Sequence, residues 1–268
     1  MMYRVIIIIC FAWVLCGCSR EMLFEDESLQ IEEEVLMYED GPFSFAYILS
    51  LPSKKPEDSG DSRRTISVFG GRLALELSYN QYWQLVQMAD ESLFNKNSIL
   101  RKLGNQLAQK YPYPVRLKFA VFSNLETDFP RFDAMYDASL RTILFKTAAD
   151  IFLDEIILHE FLHVVQCELA GIEMTDKNEL PMEFEVMLLC DVINTMITGR
   201  FVASVKSIEY MNLVSQLVRL SGHEAQMAEG YILGDFNRVY ENWAKANFIL
   251  EPEYCFPGAL LCFLRALQ

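Results

Sequence analysis

One segment limits what this chain can fold into more than any other. From residue 151 to 165 the sequence is apolar on nearly every side, through Ile151, Phe152, Ile156, Ile157, Leu158, Phe161, Leu162, Val164 and Val165, yet His159, Glu160 and His163 sit in its middle. Thr147 followed by Asp150 reads as a capping box, and Gly171 as a C-terminal stop, which predicts one helix over about 148 to 169. A helix that is apolar all round belongs inside a fold, so the rest of the domain is expected to wrap this one. Residues four apart on a helix lie roughly 40° apart, so both imidazoles project from one face. The chain has only 3 histidines in 268 residues, and two of them flank this glutamate. Ordinary core histidines satisfied by hydrogen bonds are the bland reading. A buried His, Glu, His stripe is costly to desolvate unless something offsets it, and a divalent cation does. His-Glu-x-x-His is the zinc-hydrolase spacing. The two histidines grip Zn²⁺, and Glu160, one step round the helix, takes a proton from an activated water.

Catalytic zinc sites take three protein ligands and leave one position open, so a third ligand is required. Asn178 as cap, Pro181 in the first turn and Gly199 past the end mark a second helix over about 179 to 198, and it carries Glu183 and Glu185. Residues two apart differ by about 200°, so only one of the two can face the histidines. Glu185 shares its face with Leu188, Leu189, Val192 and Met196. Glu183 shares its face with Met187, Cys190 and Asn194, a more mixed surface. A carboxylate on the apolar stripe has the greater need of a charged partner, which favours Glu185 with Glu183 as the alternative. His223, the remaining histidine, stands behind both.

A His-Glu-x-x-His helix followed by a glutamate on the next helix resembles the gluzincin group of zinc metallopeptidases, over about residues 115 to 198. The resemblance implies a short sheet ahead of the active-site helix, with an edge strand along which substrate backbone pairs. Residues 115–122 and 140–145 read as strands, and 132–137 is similar to the aromatic-acidic turn leading into that edge strand. Neither glutamate is followed by an acidic residue four places on. The usual partner behind a zinc-bound histidine is therefore unassigned.

The first residues resemble a bacterial lipoprotein signal. A short basic start with Arg4 precedes an apolar run over 5–14, too short to span a bilayer, and Leu15, Cys16, Gly17 and Cys18 end it. The resemblance implies removal of residues 1–17, acylation of Cys18 and attachment to the membrane through that lipid. Ser19 does not resemble the Asp that retains many such proteins at the inner membrane. The acidic run over 21–34 looks like the tether of surface-exposed lipoproteins. The expected location is thus the outer membrane, with exposure outward. Cys167, Cys190, Cys255 and Cys262 then remain. Cys167 lies one turn past His163, so it is either an extra ligand or, as cysteines usually are, a thiol packed between helices.

Charge narrows the partners. Removing residues 1–17 deletes Arg4 and no acid, taking the net charge from −14 to −15. Nucleic acid demands the opposite sign. Residues 18–64 begin at the lipidated cysteine and read as an acidic, largely flexible tether, with the aromatic stretch 42–51 a candidate to dock on the domain. Residues 65–268 form one domain. Helical spacing recurs over about 79–92, 97–111, 208–220, 225–247 and 257–267. The late aromatics Tyr210, Tyr231, Phe236, Tyr240 and Trp243 read as core, although one of them or His223 is a candidate oxyanion donor.

The expected fold is therefore α+β and mainly helical, a short sheet packed on a zincin-like helical core. The expected function is a lipid-anchored zinc peptidase acting on peptide or protein, with a non-catalytic surface binding or assembly lipoprotein as the alternative. Substrate specificity is not legible.

Overall fold

Alternation with period two organises the sheet. In the computed structural model, which describes residues 44–50, 64–68, 72–110, 117–122, 133–247, 249 and 254–268, five strands pair in the order β1-β2-β3-β5-β4. These are β1 (Thr65–Val68), β2 (Arg72–Glu76), β3 (Lys118–Phe122), β4 (Ala134–Asp137) and β5 (Thr142–Phe145). The pairs β1–β2, β2–β3 and β4–β5 are antiparallel and β3–β5 is parallel. Phe119, Ile143, Phe145 and Tyr136 face the main core, while Ala120, Phe122, Leu144, Val68 and Ala74 form a small cluster on the opposite face. Every residue of β5 is buried, as expected of a strand covered on both faces. β4 lies at the sheet edge. Residues 132–137 therefore do not form a turn leading into an edge strand: Ala134–Asp137 is that strand, and 142–145 is interior.

Around the sheet stand α1 (Tyr79–Ala89), α2 (Ser98–Lys110), α3 (Asp154–Val164), α4 (Glu179–Thr198), α5 (Ile208–Arg219), α6 (Gly222–Ala246) and α7 (Gly258–Leu267). The fold is mainly helical α+β. Local chemistry sets most ends. Ser78 and Gln81 close a capping box on α1, Ser221 and Glu224 close another on α6, and Gly199 ends α4 in the left-handed conformation at φ 67°. The helix expected over 148 to 169 is in fact three pieces. Asp150 accepts from the Thr147 N–H (2.7 Å) and hydroxyl (2.8 Å), but this caps a 3₁₀ turn, Asp150–Phe152. α3 follows, and a π-helical turn over Val165–Leu169 ends at Gly171, φ 72°. Asn178 does not cap α4 with its side chain, which turns back to accept from the Thr175 N–H at 2.7 Å.

α3 is the central helix, as its composition demands. Phe161 is 1% exposed and packs edge-on against Phe94 (5.1 Å) and Phe45 (6.3 Å). Truncating such a ring costs about 3–5 kcal/mol. Phe45 belongs to the segment expected to be tether. Ser44 Oγ and the Phe45 N–H donate to Asp90 at 2.8 and 2.7 Å, and Phe45, Ile48 and Leu49 are buried. The compact unit runs from Gly41 to Gln268, so its boundary lies well before residue 65.

Candidate metal centre

The regular twist of α3 brings His159 and His163 together with Nε2 atoms 3.1 Å apart and rings inclined at 71°. α4 lies against this face and supplies Glu183. Its Oε2 is 3.2 Å from His159 Nε2 and its Oε1 is 3.1 Å from His163 Nε2. No other group of three or more His, Cys, Asp or Glu side chains among the described residues converges in this way. Zn–N and Zn–O bonds of about 2.0–2.2 Å give tetrahedral edges of about 3.3–3.6 Å, so the donor spacing is within a few tenths of an ångström of what one ion needs. The residues fit a borderline-soft divalent cation of the zinc type, with two imidazoles and one carboxylate.

Exposure separates the roles. The His159 and Glu183 side chains are 34% and 37% exposed, so the cluster opens to solvent, while His163 at 3% lies at its back wall. The preference for Glu185 is thereby corrected. Glu185 is only 1% exposed and its carboxylate points into the core, where Oε2 accepts from Gln166 Nε2 at 2.5 Å and Oε1 from the Leu260 N–H at 2.6 Å. A buried carboxylate on the apolar stripe does need a partner, and hydrogen-bond donors supply it without an ion. A ligand to a centre with an open position must instead reach solvent, which the mixed face of α4 does.

Glu160 lies beside the cluster and is 4% exposed. The Tyr136 N–H on edge strand β4 hydrogen-bonds its carboxyl, while Oε2 is buried with no hydrogen-bond partner among the described residues. Burial raises the Glu160 pKa, against the pull of His159 and His163 and together with the repulsion of Glu183. Such a carboxyl is poised to exchange a proton near neutrality. Burial alone disfavours the charged form of His163, yet the Glu183 carboxylate in contact with it pushes the metal-free imidazole up to about 9. Desolvation likewise opposes charge on Glu183, but His163 and His159 hold it well below the usual carboxylate range.

A partner behind the buried histidine was missing from the sequence reading, and Gln166 fills that place. Its Oε1 is 2.9 Å from His163 Nδ1. The signal was present in the sequence: a glutamine three residues past His163, in a segment otherwise apolar. Other candidates lie elsewhere. Cys167 is half-buried and packed against the core, one of four free thiols with Cys190, Cys255 and Cys262. His223 is exposed in the first turn of α6. Tyr210, Phe236, Tyr240 and Trp243 pack around Phe184, on the core side of α4, and the Tyr210 hydroxyl donates to Asp191 at 2.6 Å. Tyr231 is 66% exposed. Cys18 and the apolar run before it lie outside the described residues. Among the described residues, no helix is long and apolar enough to cross a membrane. No family model, curated protein or solved structure matches this chain, and the geometry above is what bears on function.

Proposed function

We propose that the chain is a zinc-dependent peptidase of gluzincin type, anchored by lipid on Cys18. The observation that carries this reading is the convergence of His159, His163 and Glu183 on one ion-sized gap with Glu160 beside it. Zinc held there supplies Lewis acidity and makes a water molecule ionise near pH 7 rather than near 15.7. The protein's own part is positional and acid–base. The Glu160 carboxylate accepts a proton from the attacking water and delivers it to the departing amine nitrogen, work suited to a carboxyl raised by burial. The free edge of β4 is suited to hold an extended peptide by backbone pairing, and its Tyr136 N–H ties that edge to the base.

The test is hydrolysis of a mixed peptide pool by the full chain, with metal content measured in parallel. Chelator-sensitive cleavage that zinc restores is expected, with one zinc bound per chain. Zinc bound tightly without any cleavage would favour the second reading, a non-catalytic binding lipoprotein in which the ion staples α3 to α4. The depth of Glu160 is the observation that favours that alternative. Anchoring is tested separately: Cys18→Ala should abolish incorporation of labelled fatty acid in a bacterial host, and retention of label would end the lipoprotein reading.

A further inference from the structure

Behind His163 the polar groups form a single file that leaves the metal centre and runs into the C-terminal helix. Gln166 stands in the π-helical turn that follows α3, a backbone form often found where a side chain must be aimed. Both amide donors of Gln166 are committed: Nε2 donates to Glu185 Oε2 at 2.5 Å and to the Met182 carbonyl at 3.0 Å. Its nitrogen faces two acceptors, so its oxygen must face His163, and that oxygen can only accept. His163 Nδ1 therefore carries the proton, and the Nε2 lone pair points at Glu183 and the ion site. Glu185 locks the glutamine in turn. It has no cationic side chain against it, and its second oxygen takes the Leu260 N–H, in the first turn of α7, at 2.6 Å. A helix N-terminus favours that negative charge.

α7 reaches this position through a close approach that requires glycine. A Cβ on Gly258 would lie 2.4 Å from Ala170 Cβ and 2.7 Å from Ile172 Cδ1, both in the segment just after the π turn. The C-terminal helix is therefore pressed against the stretch of chain that carries Gln166.

We propose that Gln166 is a positioning residue for the metal centre, and that Glu185 with the first turn of α7 holds it there, making the C-terminal helix part of the site. The inference rests on the zinc reading above for its purpose, though the proton it assigns to His163 Nδ1 does not. In this chain a glutamine backed by a carboxylate does the work that a single carboxylate behind a metal-bound histidine would do.

The experiment uses the full chain with ¹⁵N-labelled histidine, of which there are 3. Metal-free and zinc-loaded protein should each show one exchange-protected Nδ1–H, and Gln166→Met should lose it and bind zinc about 10–100-fold more weakly. The exchanged pair Gln166→Glu with Glu185→Gln keeps an acceptor toward His163 and a donor between the two side chains. It should recover most of the affinity that Gln166→Glu alone loses. Gly258→Ala, far from the ion, should weaken zinc binding by a smaller factor in the same direction, with a native circular dichroism spectrum. If Gln166→Met binds zinc within threefold of the parent, or keeps the protected proton, or if the exchanged pair does no better than Gln166→Glu, the positioning role is overturned. A parent protein that shows the protected proton but binds no zinc would overturn the zinc reading and this role together while leaving the hydrogen bond standing. An absent proton with zinc bound would overturn the relay alone.

Discussion

Two carboxylates on α4, Asp191 and Glu183, occupy opposite kinds of site. Asp191 is 3% exposed and closed: the Ser204 N–H (2.6 Å), the Ser204 hydroxyl (2.8 Å) and the Tyr210 hydroxyl (2.6 Å) all donate to it. Glu183, two turns earlier, is partly open and faces two imidazole nitrogens, with the unpartnered Oε2 of Glu160 buried nearby. Every donor around Asp191 is an obligate hydrogen-bond donor that asks for nothing further. The nitrogens around Glu183 are lone-pair donors that share one gap. A satisfied network rigidifies a fold, whereas an unsatisfied one that opens to water is where a ligand fits.

The sharpest way to break this contrast is at Glu160. Glu160→Gln should lower peptide hydrolysis by about 10³-fold or more while one zinc per chain remains bound. Cleavage within tenfold of the parent would remove Glu160 from the base role. The next effect is on metal. Glu183→Gln should weaken zinc binding by more than about 100-fold, whereas Asp191→Asn should leave binding intact, both read by competition with a chromophoric chelator. The two should exchange places in unfolding. Asp191→Asn is expected to cost about 2–4 kcal/mol in urea, because an acceptor for buried donors is lost. Without metal, Glu183→Gln should cost far less, since its carboxylate is partly solvated. Zinc at 100 times its Kd should stabilise the parent and Asp191→Asn by about 2.7 kcal/mol and Glu183→Gln hardly at all. Equal responses in all three would erase the distinction.

The smallest expected effect is on pH. In metal-free protein the His163 pKa is raised from 6.5 to about 9, so its ion pair with Glu183 stabilises fully below 6.5 and is lost as pH rises through about 9. The lowered Glu183 contributes above its unfolded value of 4.5 and fades as pH falls. Thermal melts in chelator should therefore lose this contribution between about pH 6 and pH 9. Zinc must displace the His163 proton, so the rise in Tm on adding zinc should grow over the same range. A zinc-induced rise that does not change with pH would show that His163 is neutral in the metal-free protein.

Much of this was readable beforehand, for a definite reason. Period 3.6, Ser, Gly and Pro punctuation and the apolar character of α3 are local properties, so six of the seven helices fall within a few residues of their expected spans. The seventh, α3, came out shorter because Thr147–Asp150 caps a 3₁₀ turn and a π turn replaces its last residues. β4 was harder. Four residues between charged neighbours carry too little alternation to announce a strand, and its pairing with β5 is what makes it one.

The choice between Glu183 and Glu185 shows where local reasoning stops. That the two face different ways follows from helix geometry alone, and so does the joint projection of His159 and His163. The chain by itself thus determined a buried helix with two imidazoles on one face, a glutamate beside them and a carboxylate arriving from the next helix. Which carboxylate arrives depends on what else lies against α4. The Leu260 N–H, 75 residues from Glu185, and the Gln166 amide meet it only after α7 packs down at Gly258, and that meeting leaves Glu183 to the solvent side. Spacing within a helix is set by covalent geometry, whereas the partner of a buried charge is set by whichever distant donor the packed core brings within hydrogen-bond reach.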